Sequence, residues 1–93
     1  GTAVTAQETP AAATELRVFP NPASDLLRLH YEELRGEAVL EVFDARGRSM
    51  AQRVLRGSSG VESLRCGTWP AGVYFCRIQD EAGGRQTISF VKN

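Results

Sequence analysis

The chain has 93 residues, the size of a single domain, and 42% of them are hydrophobic, which is enough for a core. Its 11 Lys and Arg are balanced by 11 Asp and Glu, which argues against nucleic acid as a partner and against a polybasic membrane surface. Charged residues interrupt every apolar run well before the ~18 residues of a membrane span, and no cofactor enzyme of ordinary size fits this length, so we expect neither direct membrane insertion nor a cofactor.

The N-terminal residues 1–15 are predicted to be a flexible linker from a larger parent protein. They are mostly small, rich in Ala and Thr and broken by Pro10, so ordering them would bury too little apolar surface to offset the lost entropy. The chain starts at Gly1 rather than Met and shows no secretory signal pattern, which indicates a piece of a longer protein. We therefore assign one folded domain to residues 16–93.

Glycines and one Pro-Asn-Pro break divide residues 16–93 into seven short segments rich in β-branched, Leu and aromatic residues. Several segments alternate between apolar and polar residues, which is the period of half-buried antiparallel strands. This pattern predicts an all-β fold, a seven-stranded antiparallel immunoglobulin-like β-sandwich. The predicted strands are Leu16–Phe19, Leu26–Tyr31, Ala38–Phe43, Ser49–Arg56, Val61–Leu64, Val73–Gln79 and Arg85–Lys92.

Two of the breaks between strands predict hairpin turns. Asp44-Ala45-Arg46-Gly47 fits a type I turn with a G1 bulge, in which Gly47 takes the left-handed conformation. The residues 81–84 are predicted to do the same between the last two strands. Tyr74 re-enters the sheet after Pro70-Ala71-Gly72, and we expect it to bury its ring and bond its hydroxyl to the loop backbone.

Catalytic and metal-binding residues are poorly represented, and we do not predict an enzyme. His30 is the single histidine and lies on the predicted solvent face of a strand, while Glu32 and Glu33 are sequence neighbours rather than a pair across a cleft. Two cysteines and one histidine at these spacings match no zinc pattern. Cys66 and Cys76 are predicted to be two reduced thiols, with a local disulfide as the alternative.

Four motifs occur in order along the predicted domain, and together they resemble a known family. They are Val18-Phe19-Pro20-Asn21-Pro22-Ala23, Val42-Phe43-Asp44-x-x-Gly47-Arg48, Pro70-Ala71-Gly72-Val73-Tyr74-Phe75 and Phe90-Val91-Lys92. In this order and spacing they are similar to the type A C-terminal sorting domain of the type IX secretion system of Gram-negative bacteria. Asn93 departs from the family pattern, which usually ends on its Lys-containing motif.

The resemblance implies a route and a set of partners. A cargo protein carrying this domain would pass through the periplasm, be recognised by the outer-membrane translocon and its shuttle protein, and reach the outer-membrane surface or the extracellular space. A surface sortase would then cut the linker and join the cargo to anionic lipopolysaccharide. The candidate cleavage residues are Thr9, Pro10, Ala11, Ala12, Ala13 and Thr14. Some components of the system instead retain the domain and use it to dock at the surface.

The motifs supply the candidate recognition residues, although the prolines and glycines also have structural interpretations as strand and turn breakers. We place recognition at Phe90–Lys92, where a last strand at a sheet edge offers strand addition or an exposed Lys. The sorting signal and the retained docking domain are two hypotheses, and the third is an immunoglobulin-like adhesion or carbohydrate-binding module. This module would need an exposed aromatic platform from Trp69, Phe43 and Phe75. The candidate recognition residues are Pro20, Asn21, Pro22, Gly47, Gly72, Tyr74, Phe90, Val91 and Lys92.

Overall fold

A computed structural model describes residues 15–93, which form seven strands in two antiparallel sheets. The described residues include no helix that could cross a membrane. The strands are β1 (Glu15–Phe19), β2 (Leu26–Glu32), β3 (Ala38–Asp44), β4 (Ser49–Leu55), β5 (Gly60–Arg65), β6 (Gly72–Asp80) and β7 (Arg85–Lys92). Each predicted strand is present, with boundaries that differ by at most one residue. Glu15 belongs to β1 rather than to the linker, and the rest of the linker prediction lies outside the described residues.

The two sheets have three and four strands. The smaller sheet has the order β1-β2-β5, and the larger has the order β4-β3-β6-β7. All neighbours within each sheet are antiparallel. One register shift, between Val42 and Phe43, marks an irregularity in the β3–β4 pairing. The last strand, β7, is an edge strand of the larger sheet, as the sequence predicts.

The core lies between the sheets and is built by the alternation seen in the sequence. Leu27, Leu29 and Tyr31 on β2 are buried and face the other sheet, whereas Arg28 between them is exposed. Burying such side chains contributes about 1.5–3 kcal/mol each, which is the main stabilisation of a domain this small. The fully buried side chains with the largest volumes are Phe90, Leu27, Leu29, Leu40, Leu64, Ile78, Val42, Cys66 and Cys76.

The segment after β1 crosses from the smaller sheet to the larger one. β1 pairs with β2, and the chain then passes through Pro20-Asn21-Pro22 to Ala23, which forms a parallel bridge with Lys92 at the end of β7. The Phe19–Pro20 and Asn21–Pro22 bonds are both cis. Proline has no N–H to donate to a ladder, so the first strand stops here and only Ala23 pairs with β7. The Pro-Asn-Pro segment therefore closes one side of the sandwich.

The strand directions define two ends of the sandwich. At one end, Phe19 pairs with Arg28, and Gly72 pairs with Lys92. We call this the motif end, and it comprises residues 20–25, 44–48, 65–71 and 92–93. At the other end, Glu15 pairs with Glu32. We call it the far end, and it comprises residues 32–37, 56–59 and 80–85, together with Glu15 at the start of β1.

Candidate recognition site at the motif end

All four sequence motifs meet at the motif end. The first and the last are in direct contact there, although the two residues that join them are 70 positions apart in the chain. The Val91 N–H donates to the Asn21 side-chain oxygen at 2.9 Å, and the Ala23 N–H donates to the Val91 carbonyl at 2.8 Å. The Asn93 N–H then donates to the Ala23 carbonyl at 2.9 Å. Three hydrogen bonds thus fasten the Pro-Asn-Pro segment along the last residues of the chain, and each adds about 0.5–1.5 kcal/mol.

The 66–71 loop, which precedes β6, is also fixed by hydrogen bonds at the motif end. The Cys66 N–H donates to the Asp25 carbonyl at 2.9 Å, and the Trp69 N–H donates to the Cys66 carbonyl at 3.0 Å. Tyr74 fills the space beneath this loop, and its hydroxyl donates to the Pro70 carbonyl at 2.5 Å, as predicted. Burial raises the pKa of the Tyr74 hydroxyl, which therefore stays a neutral donor. The loop is consequently attached to the core by a buried side chain.

Three aromatic rings stack in a row under the motif end. The Tyr74 ring lies 5.5 Å from that of Phe90 with an 18° interplanar angle, and 5.3 Å from that of Trp69 with a 35° angle. Phe90 and Tyr74 are buried, and Trp69 is partly buried against the core. These separations are within the range in which aromatic pairs add to area burial. The row connects the last strand to the 66–71 loop.

The turn after β3 is ordered by one carboxylate. Asp44 accepts the N–H of Arg46 and the N–H of Arg48, both at 2.9 Å, and the Arg48 Nε at 2.8 Å. These hydrogen bonds, led by the one from the Arg48 backbone, hold the pKa of Asp44 below its usual value. Gly47 has φ 87°, the left-handed conformation predicted for the G1 bulge. The hydrogen bonds to the Asp44 carboxylate fix the backbone positions from which the side chains of Arg46 and Arg48 extend.

Gly72 starts β6 with φ 151°, a region that favours glycine, and nothing lies within 4 Å of where its side chain would be. Its candidate role in recognition is therefore a backbone role, since the conformation rather than a close neighbour selects the residue. Gly47 is in the same situation, with open space beside it. Both glycines set the path of loops at the motif end and leave room for a partner to approach.

The prediction of an exposed Lys at the end of the chain is wrong. Lys92 is only 6% exposed, because it continues the inward face of Ile88 and Phe90 with period 2, and its ammonium donates to the Asn93 carbonyl at 2.8 Å. Strand addition at residues 91–93 is also blocked, since Asn21 and Ala23 already occupy that edge. Val91 faces outward and is 43% exposed beside Val73, so it is the member of the terminal motif that a partner could touch.

The remaining candidates for chemistry lie at the end of β2 and just after it. His30 is half-buried and packs edge-on against Phe19, with ring centroids 4.6 Å apart. Glu32 ends β2, and Glu33 follows it with a positive φ of 61°. Within residues 15–93, no group of three or more His, Cys, Asp or Glu side chains could hold a metal ion.

The aromatic residues proposed for a carbohydrate platform do not form a free surface. Trp69 stacks on Tyr74, and the Arg77 guanidinium lies 4.9 Å from the centre of the Phe43 ring. Phe75 is 39% exposed on the outer face of the larger sheet. Because two of the three rings already have a face covered, the geometry does not favour the adhesion hypothesis.

Three buried side chains in the connecting segments of residues 15–93 were missed by the sequence analysis. Ala23 and Cys66 are 0% exposed, and Leu34 is 5% exposed, yet none belongs to a strand. Cys66 also donates its thiol to the Ser24 carbonyl at 3.5 Å. Periodicity cannot identify such residues, because a lone apolar residue in a loop has no repeating neighbours. Cys66 could still have been suspected, since cysteine is among the most buried residue types.

Both cysteines are free, as predicted, and both are buried, which sets their reactivity. Burial raises the pKa of the Cys76 thiol to about 12, and it also raises the pKa of Cys66. Because the thiolate is the reactive form, we expect neither cysteine to react with iodoacetamide near neutral pH in the folded domain. Intact mass after labelling should show no adduct in buffer and two adducts in concentrated urea.

The same pKa shift predicts how stability changes with pH. The folded state keeps the Cys76 proton between the ordinary thiol pKa of 9.0 and about 12, while the unfolded state loses it. Stability from this group is therefore full below pH 9.0 and declines as the pH rises towards 12. In the iodoacetamide experiment, rapid labelling of one thiol in the native domain would contradict the buried position found for that cysteine.

Comparison with known proteins agrees with the fold and identifies the family. A crystal structure of a DUF3244 family protein from Bacteroides vulgatus, with an immunoglobulin-like β-sandwich fold, is 19% identical and has a TM-score of 0.66. The match covers 88% of this chain and 96% of that one, so the fold is an immunoglobulin-like β-sandwich, as predicted. No curated protein matches the chain.

A family model described as a secretion system C-terminal sorting domain matches residues 17–93. The chain belongs to this family, the C-terminal sorting domains of type IX secretion. Membership implies that the domain interacts with the secretion system. It also implies export to the cell surface or the extracellular space of a Gram-negative bacterium. The family match spans nearly all the described residues, including the four motifs on which the resemblance was based.

Proposed function

We propose that the domain directs a cargo protein through the outer-membrane translocon of the type IX secretion system, and that the translocon or its shuttle protein recognises the motif end. A surface sortase then cuts the linker and joins the cargo to anionic lipopolysaccharide. The domain itself serves as an address and carries out no reaction. The observation that supports this proposal is the convergence of four sequence-distant motifs on one end of the sandwich.

The motif residues divide into those that build the motif end and those that a partner contacts. Asn21, Tyr74 and Phe90 build it through hydrogen bonds and ring stacking, and Pro20, Pro22, Gly47 and Gly72 set the backbone path. Lys92 also belongs to the first group, because its ammonium is buried and bonded to Asn93. Val91 belongs to the second group, since it is exposed.

The position of the linker supports two separate steps. β1 starts at Glu15, which lies at the far end, and the candidate cleavage residues Thr9–Thr14 precede Glu15 in the sequence. The nine residues of β6 run between the two ends, and at about 3.3 Å per residue they span roughly 26 Å. A translocon bound at the motif end would therefore leave the start of β1, which the linker precedes, uncovered for a sortase.

Val91→Asp tests recognition without damaging the core. A passenger protein fused ahead of residues 1–93 should be exported by a type IX-competent cell, and Val91→Asp should reduce export about tenfold because it places a carboxylate in the contact surface. Val91 is exposed, so the free energy of unfolding should change by less than about 1 kcal/mol. Export is measured as passenger on the cell surface and in the medium, relative to the periplasm.

Val61→Asp is the matched control, since Val61 is 52% exposed on β5 of the smaller sheet. Its export should equal that of the unmodified fusion. Equal export of Val91→Asp and Val61→Asp would overturn the role of Val91. Intact mass of the exported passenger is the second readout: a cut between Thr9 and Thr14 supports the sortase step, while an uncut product indicates a retained docking domain instead.

A further inference from the structure

The charges of the domain are distributed unequally between its two ends. Among the described residues, cations outnumber carboxylates four to two at the motif end: Arg46, Arg48, Arg65 and Lys92 against Asp25 and Asp44. At the far end, carboxylates outnumber cations six to three. They are Glu15, Glu32, Glu33, Glu37, Asp80 and Glu81, with Arg35, Arg56 and Arg85. Since the Debye length is about 8 Å at physiological salt, a partner at one end is screened from the charges of the other.

A hollow of about 320 Å³ lies within the basic motif end, between the 44–48 turn and the start of β6. Its apolar lining includes Met50, Pro70 and Val73, and Arg46 and Arg48 stand at its polar side. Both arginines are exposed. The hollow therefore offers an apolar site beside two guanidinium groups, and both of its walls are parts of the sequence motifs.

The two arginines have unused hydrogen-bonding capacity. Within residues 15–93, the Arg46 side chain makes no hydrogen bond or ion pair, although its backbone N–H is bonded to Asp44. Arg48 uses its Nε for Asp44, and its two terminal nitrogens make no hydrogen bond to the described residues. Guanidinium groups bind carboxylates through paired N–H donors, which gives both strength and orientation. A carboxylate beside the hollow is the ligand that this arrangement fits.

We propose that the motif end docks on an acidic segment of the receptor protein, with an apolar side chain in the hollow and an adjacent carboxylate on Arg46 and Arg48. This inference rests on the proposed sorting function and names the chemistry of the partner that reads the motif end. The acidic far end is repelled by the same receptor, so the domain approaches with its motif end first.

A protein partner fits these observations better than an anionic membrane. Binding to anionic lipid typically needs a cluster of about four to eight basic residues, and here one of the four, Lys92, is buried. The other three share the motif end with two carboxylates, so the excess of positive charge is small. A concave apolar site has no role on a lipid surface, whereas it can hold one side chain of a receptor loop.

Arg46→Glu tests the proposal, with Arg46→Lys and Arg28→Glu as controls. Arg28 is exposed on the smaller sheet, so its reversal makes the same change in net charge away from the hollow. The probe is the translocon extracted from the outer membrane of type IX-competent cells. We expect Arg46→Glu to bind it about tenfold more weakly, because like charges then face each other, and Arg28→Glu to bind normally. Arg46→Lys keeps the charge but loses the paired N–H donors, so its binding should fall between the two. Binding of the unmodified domain should weaken as salt is raised.

Three results would overturn the inference, and they are distinguishable. Normal binding and export of Arg46→Glu leave the sorting function standing and remove the role of the arginine. Binding to vesicles of phosphatidylglycerol and phosphatidylcholine in equal parts, lost in Arg46→Glu, would assign the basic end to lipid instead. Failure of the unmodified fusion to be exported would overturn the proposed function itself. Thermal unfolding should show that Arg46→Glu is folded, because Arg46 is an exposed turn residue.

Discussion

Replacing Phe90 by alanine should lower the free energy of unfolding by about 3–5 kcal/mol, the largest loss expected from any single change in the terminal motif. Phe90 is 1% exposed, and its ring stacks on that of Tyr74. A domain of this size has a net stability of roughly 4–12 kcal/mol, at about 0.05–0.15 kcal/mol per residue. The truncation therefore removes a large part of the total, and the cavity it leaves lies directly beneath the motif end.

Phe75→Ala is the matched control, because Phe75 lies on β6 next to Tyr74 but faces outward and is 39% exposed. It should cost less than about 1.5 kcal/mol. Urea unfolding followed by fluorescence gives both values from the shift in midpoint at constant slope. Similar losses for the two variants would contradict the burial found for Phe90.

This result changes how a C-terminal truncation is interpreted. Deleting Phe90–Asn93 removes a core ring and two hydrogen bonds to Ala23, so loss of export after the deletion would follow from unfolding alone. The deletion therefore cannot test whether the terminal residues are read directly. Substitutions on the exposed side of the same strand, such as Val91→Asp, can do so.

The strands and the fold could be predicted because their signals are local. Alternation assigned the buried faces of β2 and β6, and a glycine with positive φ marked the turn after β3. The hydrogen bond of Tyr74 to its loop was also predictable, since a ring that enters the core beneath a loop can bond its hydroxyl to the loop backbone. These features depend on residues close together in the chain.

The pairing of residues 21–23 with residues 91–93 could not be predicted from local signals, because it depends on how the two sheets close. Proline breaks were visible, but nothing in Pro20-Asn21-Pro22 says which strand lies beside it. The burial of Lys92 was within reach, since it follows Ile88 and Phe90 with period 2, yet a terminal Lys is usually assigned to the surface. The basic hollow could not be predicted from the sequence, because its two walls come from separate segments of the chain.

The turn after β6 was predicted at residues 81–84 but begins one residue earlier, at Asp80. In this position it has the same arrangement as the turn that begins at Asp44. Asp44 and Asp80 each receive the N–H of the residues two and four positions later, and Gly47 and Gly83 have φ values of 87° and 90°. The two Asp-x-x-Gly turns are therefore equivalent in their hydrogen bonds. They differ in burial, since Asp80 is 6% exposed and Asp44 is only half-buried.

Asp80→Ala should destabilise the domain by about 3–5 kcal/mol, because it removes three hydrogen bonds to a buried carboxylate. Asp80 accepts the N–H of Ala82 at 3.0 Å, of Gly84 at 2.7 Å and, across the far end, of Arg35 at 3.0 Å. The last bond attaches residues 33–37 to the β6–β7 turn. Without the Asp80 carboxylate, the buried N–H of Gly84 and the N–H of Arg35 lose their acceptor. Leaving a buried donor unpaired costs more free energy than losing a hydrogen bond that water can replace.

Asp44→Ala and Asp80→Asn are the controls that isolate burial and charge. Asp44→Ala breaks the same two local N–H bonds where water can replace them, so its effect on urea unfolding should be clearly smaller than that of Asp80→Ala. Asp80→Asn keeps an oxygen acceptor and should fall between the unmodified domain and Asp80→Ala. Equal losses for the two alanine variants would show that the turn alone sets the cost, and that the bond to Arg35 does not hold the far end together.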